Sequence, residues 1–342
     1  MQPSKPLLAV PNVSEGREPR TIEAIAEAFV ADGGTRLLDV HSDADHHRSV
    51  FTLAGAQGKL GDALLAGARV AVERIDVGMG RDPADIGEHP HVGAVDVMPV
   101  VYLDAAQRGA ACAEALTVAH ELGERLGVAV LLYGDLAGGR TRAELRRGGV
   151  RALAARLRSG ELCSDFGPAR LHPTAGATLV AVREPLVAFN LELAAPATLQ
   201  DARRIASAIR EGGAEGLPGL RAIGVGLRRG ERTDGDPSHD DRRARAPGTR
   251  SPLEHPPLAH AFSRARESPR GDTTIPQVSM NVERPLELPL GAVVAAVRRH
   301  AEVERAEIVG LAPRAALEGF PEDVPLKGFD AGAHVIENAL GF

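Results

Sequence analysis

"EPLVAFNLEL", residues 184–193, decides the fold. Leu186, Phe189, Leu191 and Leu193 form an apolar run bounded by Pro185 and Pro196, the signature of a strand. Pro196, Thr198 and the residues up to Glu211 then read as a capped helix. "LRAIGVGL" (220–227) and "TTIPQVSMNVER" (273–284) are strands, "LGAVVAAVRRH" (290–300) a helix and "AEIVGLAP" (306–313) a last strand. That order is βαββαβ, the split βαβ or ferredoxin-like unit. The same order runs through the preceding half. "LLAV" (7–10) is followed by a helix with Ile22, Ile25, Ala26, Phe29 and Val30 on one face. Strands "TRLLDV" (35–40) and "RSVFTLAG" (48–55), a helix carrying Leu60, Leu64, Ala68, Ala71 and Ile75, and strand "AVDVMPVVYL" (94–103) complete the unit. A helix over 105–126, a strand "VAVLLYG" (128–134) and an Arg-rich helix over 141–158 are appended to it. The expected class is therefore α/β (α+β). It comprises two ferredoxin-like βαββαβ subdomains, 1–183 and 184–342, each a sheet with helices packed on one face.

Residues 229–271 interrupt the second unit between two strands. They are dense in Arg, Asp, Pro, Ser and Gly and almost free of β-branched residues. Such a composition buries too little apolar area to offset ordering entropy, so a disordered insertion is expected. Across the whole chain of 342 residues the apolar share is 44%, enough for two ordinary cores. With no Trp and 3% aromatics, Ala, Leu and Val must build them. A net charge of −6 argues against a nucleic-acid binder, which needs a basic face to displace counterions. No run approaches the roughly 18 apolar residues of a membrane span or the pattern of a signal peptide. Cys112 and Cys163 have neither metal nor redox spacing. A soluble cytoplasmic protein is expected.

Three clusters compete for the chemistry. "HSDADHHRSV" (41–50) offers His41, Asp43, Asp45, His46 and His47, a donor set suited to Zn or Fe. A strand-connecting loop also selects Asp and Ser for turn geometry alone, and no HExxH spacing is present. The glycines of "GMGRDPADIG" (78–87) and "GVGLRRG" (224–230) resemble fragments of a dinucleotide fingerprint, but neither joins a strand to a helix as that fingerprint requires. "IGEHPHVGAVDVMPV" (86–100) places Glu88, His89 and His91 before a strand that contains Asp96. Histidine titrates near neutrality, and a neighbouring carboxylate fixes its tautomer, so a proton-transfer site is one reading. A capped turn is the other.

At "GEHPHVGAVDVMP" the chain resembles the glutamate formimidoyltransferase family in its form without a cyclodeaminase domain. "VPNVSEGR" (10–17), "LLDVHSDADHHRSVFTLAG" (37–55), "LLYGDLA" (131–137), "DFGPARLHPTAGATLVAVREPLVAFNLEL" (165–193), "QVSMNV" (277–282) and "EIVGLAPRAAL" (307–317) follow in the family's order. The resemblance implies transfer of a formimidoyl group from N-formimidoyl-L-glutamate to N5 of tetrahydrofolate, a co-substrate, with release of glutamate and no metal. It also implies a homodimer with substrates between the two subdomains. His89 is then the catalytic base. A single group that takes a proton from N5 and returns it to the leaving nitrogen serves both steps. The folate-contacting segment falls on Gly167, Pro168, Ala169, Arg170, Leu171, His172, Pro173, Thr174, Ala175 and Gly176. Several relatives carry Trp where this chain has Ala175. Asn12, Ser14, Glu15, Asp39 and Arg48 are candidate cleft-lining residues, and Arg48, Arg170 or Arg183 is suited to bind substrate carboxylates. Two rivals stand beside this reading: a one-carbon transferase using N-formylglutamate or another donor, and a catalytically silent folate-binding paralogue.

Overall fold

The computed structural model describes residues 5–78, 90–228 and 274–341. His89 and the expected insertion at 229–271 lie outside the described residues. The chain forms two β-sheets with packed helices.

The first sheet contains β1 (Leu7–Ala9), β2 (Asn12–Val13), β3 (Thr35–Asp43), β4 (Arg48–Gly55), β5 (Val95–Val101), β6 (Ala129–Leu132) and β7 (Ala177–Arg183). β1 and β2 share one position, both lying between β4 and β5, because the chain breaks step at Val10 and Pro11. The order is β3, β4, β1/β2, β5, β7, β6. The first four positions are antiparallel and have the 2-3-1-4 order of a ferredoxin-like unit. β7 then pairs parallel with both β5 and β6, so the appended residues widen the same sheet.

Helices α1 (Pro19–Val30), α2 (Leu60–Arg74) and α3 (Arg108–Leu126) cover one face. Their three- and four-residue apolar steps deliver Ile22, Ile25, Phe29, Leu60, Leu64, Ala68 and Leu122 onto Phe51, Leu53, Met98 and Val180. Burying each large side chain contributes about 1.5–3 kcal/mol. Phe29 lies against Gly67, where an added Cβ would come within 2.3 Å of the ring. The opposite face of β5, β7 and β6 is covered by α4 (Arg142–Arg146) and α5 (Gly149–Ser159), through Leu145, Leu153 and Leu157. The sequence reads these as one helix over 141–158. Gly148 and Gly149, with φ of +77° and +69°, divide it.

The second sheet orders β11 (Val303–Val309), β8 (Val187–Leu193), β10 (Thr274–Val282) and β9 (Leu220–Arg228), all antiparallel. α6 (Leu199–Ile209) and α7 (Leu290–Arg298) pack on one of its faces. Thr198 and Asp201 close a capping box at the start of α6. The last elements, α8 (Ala331–His334) and α9 (Ile336–Leu340), cross to the first unit. Ile336 and Leu311 join Leu8, Ala54 and Val101 in a small shared core. Among the described residues no helix is long and apolar enough to cross a membrane.

Candidate functional site

The start of β5 gathers most of the candidate residues. Residues 95–97 oppose only Asn12 and Val13 of β2, and this irregularity turns Asp96 onto the face away from α1–α3. There Asp96 is 1% exposed and bonds Arg48 Nη1 at 3.1 Å and Arg146 Nη2. The Val92 N–H donates to its other oxygen at 2.9 Å. Burial alone would raise the Asp96 carboxyl, but Arg146, Arg48 and the Val92 N–H hold it below the usual carboxylate range. Arg48 is pushed down to about 10, first by burial and then by Arg146 and Arg142, against the opposing pull of Asp96. Asn12 Oδ1 accepts from Arg48 Nε at 2.9 Å and Nη2 at 2.5 Å, and Asn12 Nδ2 donates to the Val10 carbonyl. The Ser14 hydroxyl donates to the Gly93 carbonyl at 2.7 Å.

Asn12, Ser14 and Arg48 are thus brought together, while Glu15 and Asp39 stand apart. Glu15 Oε1 accepts from the N–H groups of Arg17 and Glu18 in a turn, and lies 3.4 Å from His47 Nδ1. Asp39 lies where the two units meet, 3.9 Å from His334 Nε2, and burial raises its carboxyl despite His41 and His334. The donors of the 41–47 stretch diverge. His41 faces Glu307 of the second unit at 3.9 Å, His47 Nδ1 accepts from the Gly16 N–H, and Asp43 accepts from the His46 N–H.

The 167–176 segment divides into two parts. Gly167, at φ +72°, packs against Gly123 and the Val128 carbonyl, where a side chain has no room. His172 and Gly176 close a tight turn through paired backbone bonds of 2.9 and 3.1 Å, and the Ala175 N–H donates to His172 Nδ1. Ala175 is 1% exposed and belongs to the first core. Pro168, Ala169 and Arg170 lead into this turn, followed by Leu171; Pro173 and Thr174 lie within it. The turn holds both flanks of the 79–89 stretch. The Val77 N–H donates to the Thr174 carbonyl at 2.8 Å, and the Ala94 N–H to the Ala175 carbonyl at 2.9 Å. The Ala177 N–H donates to the Val92 carbonyl at 3.0 Å, and Gly93 bridges Gly176. A Cβ on Gly93 would lie 1.9 Å from the Ala177 carbonyl oxygen, so only glycine permits this approach. Val92, Gly93 and Ala94 thus lie against the 172–176 turn, and the Val92 N–H also reaches Asp96.

Sequence reading misses Arg142 and Arg146, which appear there only as part of an Arg-rich helix. The available signal is T-x-x-E at Thr141–Glu144, a capping box that starts a new helix at Arg142. The Arg142 guanidinium lies 5.8 Å from the centre of the Tyr133 ring. Arg183, at the end of β7, is pushed down to about 10, chiefly by burial. Its Nη1 donates to the Glu184 carbonyl at 2.9 Å, and Arg183 forms no ion pair among the described residues.

Fold and site together define a class: a two-unit α/β protein with a guanidinium-rich, partly buried surface suited to carboxylate-bearing small molecules. The family model of the formiminotransferase domain, N-terminal subdomain, matches residues 7–183, and the chain belongs to that family. It is 35% identical over 221 residues to a glutamate formimidoyltransferase of Streptococcus pyogenes serotype M1, covering 64% of this chain and 72% of that protein. Similarity to a glutamate formimidoyltransferase of Thermoplasma acidophilum is 34% over 206 residues, covering 59% of this chain and 66% of that protein. The formimidoyltransferase-cyclodeaminase of Sus scrofa is 37% identical over 211 residues, which span 60% of this chain and 37% of that longer protein.

Proposed function

We infer that the chain is a folate-dependent glutamate formimidoyltransferase, moving the formimidoyl group of N-formimidoyl-L-glutamate to N5 of tetrahydrofolate and releasing glutamate. The observation that carries this reading is family membership over residues 7–183, with relatives bearing that activity in their names. The residues present fit both substrates. Each substrate brings carboxylates, and this surface sets Arg48 and Arg146 on one buried aspartate, with Arg142 within electrostatic reach of Arg48. Arg183 supplies a further cation without an ion pair among the described residues.

His89 is the proposed proton-transfer residue and Gly167–Gly176 the proposed folate segment. The bonds from Val77, Val92 and Ala94 to residues 174–177 support their working side by side. Asn12 holds the Arg48 guanidinium in place, and Ser14 fixes Gly93, four residues after His89 in sequence. Glu15 and Asp39, apart from the Asp96 cluster, are proposed to line the cleft further off, beside His47 and where the two units meet. When bound, tetrahydrofolate supplies the nitrogen nucleophile, and the protonated amidine is electrophilic enough to need no metal. The rest of the proposal is two subdomains dividing at 183/184, an insertion at 229–271, and a cytoplasmic homodimer. It has small-molecule partners and no nucleic-acid or membrane partner. The free thiols of Cys112 and Cys163 support a reducing compartment.

The test is turnover of purified protein with tetrahydrofolate and formimidoylglutamate beside tetrahydrofolate and formylglutamate. Glutamate release confined to the first pair is expected. Release only from formylglutamate would replace the donor, and folate binding without release from either would make the chain a silent binder.

A further inference from the structure

On β10, Val278, Met280 and Val282 point into the second core, so Gln277 and Ser279 fall on the opposite face, away from α6 and α7. That face turns toward the first unit: Glu307 of β11 meets His41, and a Cβ added at Gly310 would lie 3.5 Å from the Thr52 hydroxyl. Two lateral rows of polar residues cross it. In the first row Asn190 Nδ2 donates to Glu307 Oε2, so its amide is engaged. In the next, Arg305 pairs with Glu192 at 2.7 Å, and Gln277 lies between Glu192 and Val225. Gln277 is 0% exposed, yet among the described residues neither its Oε1 nor its Nε2 has a hydrogen-bond partner. A carboxamide shut away from water with both atoms unpaired is rare and calls for an explanation. Its row lies toward the end of the first sheet where Asp43 pairs with Arg48, since Lys327 lies within electrostatic reach of both Asp43 and Glu192.

We propose that Gln277 is a ligand-reading residue, its carboxamide pairing with a neutral edge that presents an N–H donor beside a lone-pair acceptor. The inference rests on the transferase reading, in which one substrate carries such an edge, the lactam of the reduced pterin; the protonated formimidoyl group offers donors only. A carboxamide matches the lactam with one donated and one accepted bond. An aliphatic side chain of the same length does not.

Gln277→Met keeps length and volume, and two measurements follow. The ligand-free variant is expected to melt about 2–4 °C above wild type, because an unsatisfied buried amide has been removed. Titration calorimetry is expected to show a roughly tenfold loss for tetrahydrofolate and none for formimidoylglutamate. A loss confined to formimidoylglutamate overturns the pairing with the lactam. A variant that binds both compounds as tightly as wild type overturns the role of Gln277 and leaves the transferase reading intact. An unchanged or lowered melting temperature overturns it too, because the amide would then have a partner within the protein. A wild-type protein that binds neither compound overturns both.

Discussion

Asp96 and His89 answer different questions at the scale of the residue. Asp96 is legible in sequence as a lone acid in an apolar strand. Its task is not, because Arg48 and Arg146 reach it from 48 and 50 positions away. Asp96→Asn removes the charge that compensates two largely buried guanidiniums and should cost about 3 kcal/mol, measured by denaturant unfolding at pH 7. The folded Asp96 pKa lies below its unfolded value. Its contribution is therefore complete above the ordinary carboxylate pKa near 4 and disappears as pH falls through the lower folded value. Wild type and variant should converge in melting temperature below about pH 4; a gap that stays constant to pH 2 would contradict the charge argument. His89→Ala should instead leave the melt unchanged and lower kcat by about 10²–10⁴-fold, the usual contribution of general acid–base catalysis. Turnover within a few-fold of wild type would remove His89 from the proton path.

Among the elements, the β5 and α4 regions show how local rules set the site. Both βαββαβ orders are legible because each helix and strand carries a clean period, as in Ile22, Ile25 and Phe29 or in Val278, Met280 and Val282. β7 is not marked by such a period. "ATLVAVR" is apolar on both sides because it lies centrally between β5 and β6 with helices on both faces, a pattern a short sequence window cannot distinguish from a linker. The division between α4 and α5 is hidden for a related reason, since Arg and Leu spacing continues across Gly148. α4 has only five residues, too few to sustain itself by propagation, so its cap matters disproportionately. Thr141→Ala deletes the hydroxyl that accepts from the Glu144 N–H and donates to the Glu144 carboxylate. The expected cost is about 1 kcal/mol, and because α4 carries Arg142 and Arg146, KM should rise more than kcat falls. Thr141→Ser should restore both; equal KM values in all three proteins would separate the helix from substrate binding.

For the whole molecule, the meeting of the two sheets is the feature that sequence conveys least. Its partners, Asp39 with His334 and His41 with Glu307, lie nearly three hundred positions apart and belong to different units. Glu307 and Asp39 are both buried carboxylates at this contact, but their environments shift them oppositely. Burial would raise Glu307, yet Lys327, 2.9 Å away, and His41 hold it below the ordinary range. Asp39 Oδ2 is buried without a bond, and burial prevails over His41 and His334, so its carboxyl is raised. A raised folded pKa means that Asp39 favours the native state when protonated, and that this contribution is lost as pH rises through the folded value. Asp39→Asn should therefore stabilise the protein at pH 8, by about 1–2 kcal/mol on the scale of an unmet buried polar group. The advantage should vanish near pH 3, where the wild-type carboxyl is also neutral. This is the reverse of the expectation for Asp96→Asn, although both aspartates belong to the first sheet. Thermal melts of the two variants across pH 3–8 would separate the cases: curves that approach wild type from opposite sides as pH falls support the assignment. Destabilisation by Asp39→Asn at pH 8 would mean that the Asp39 charge is paired across the contact of the two units.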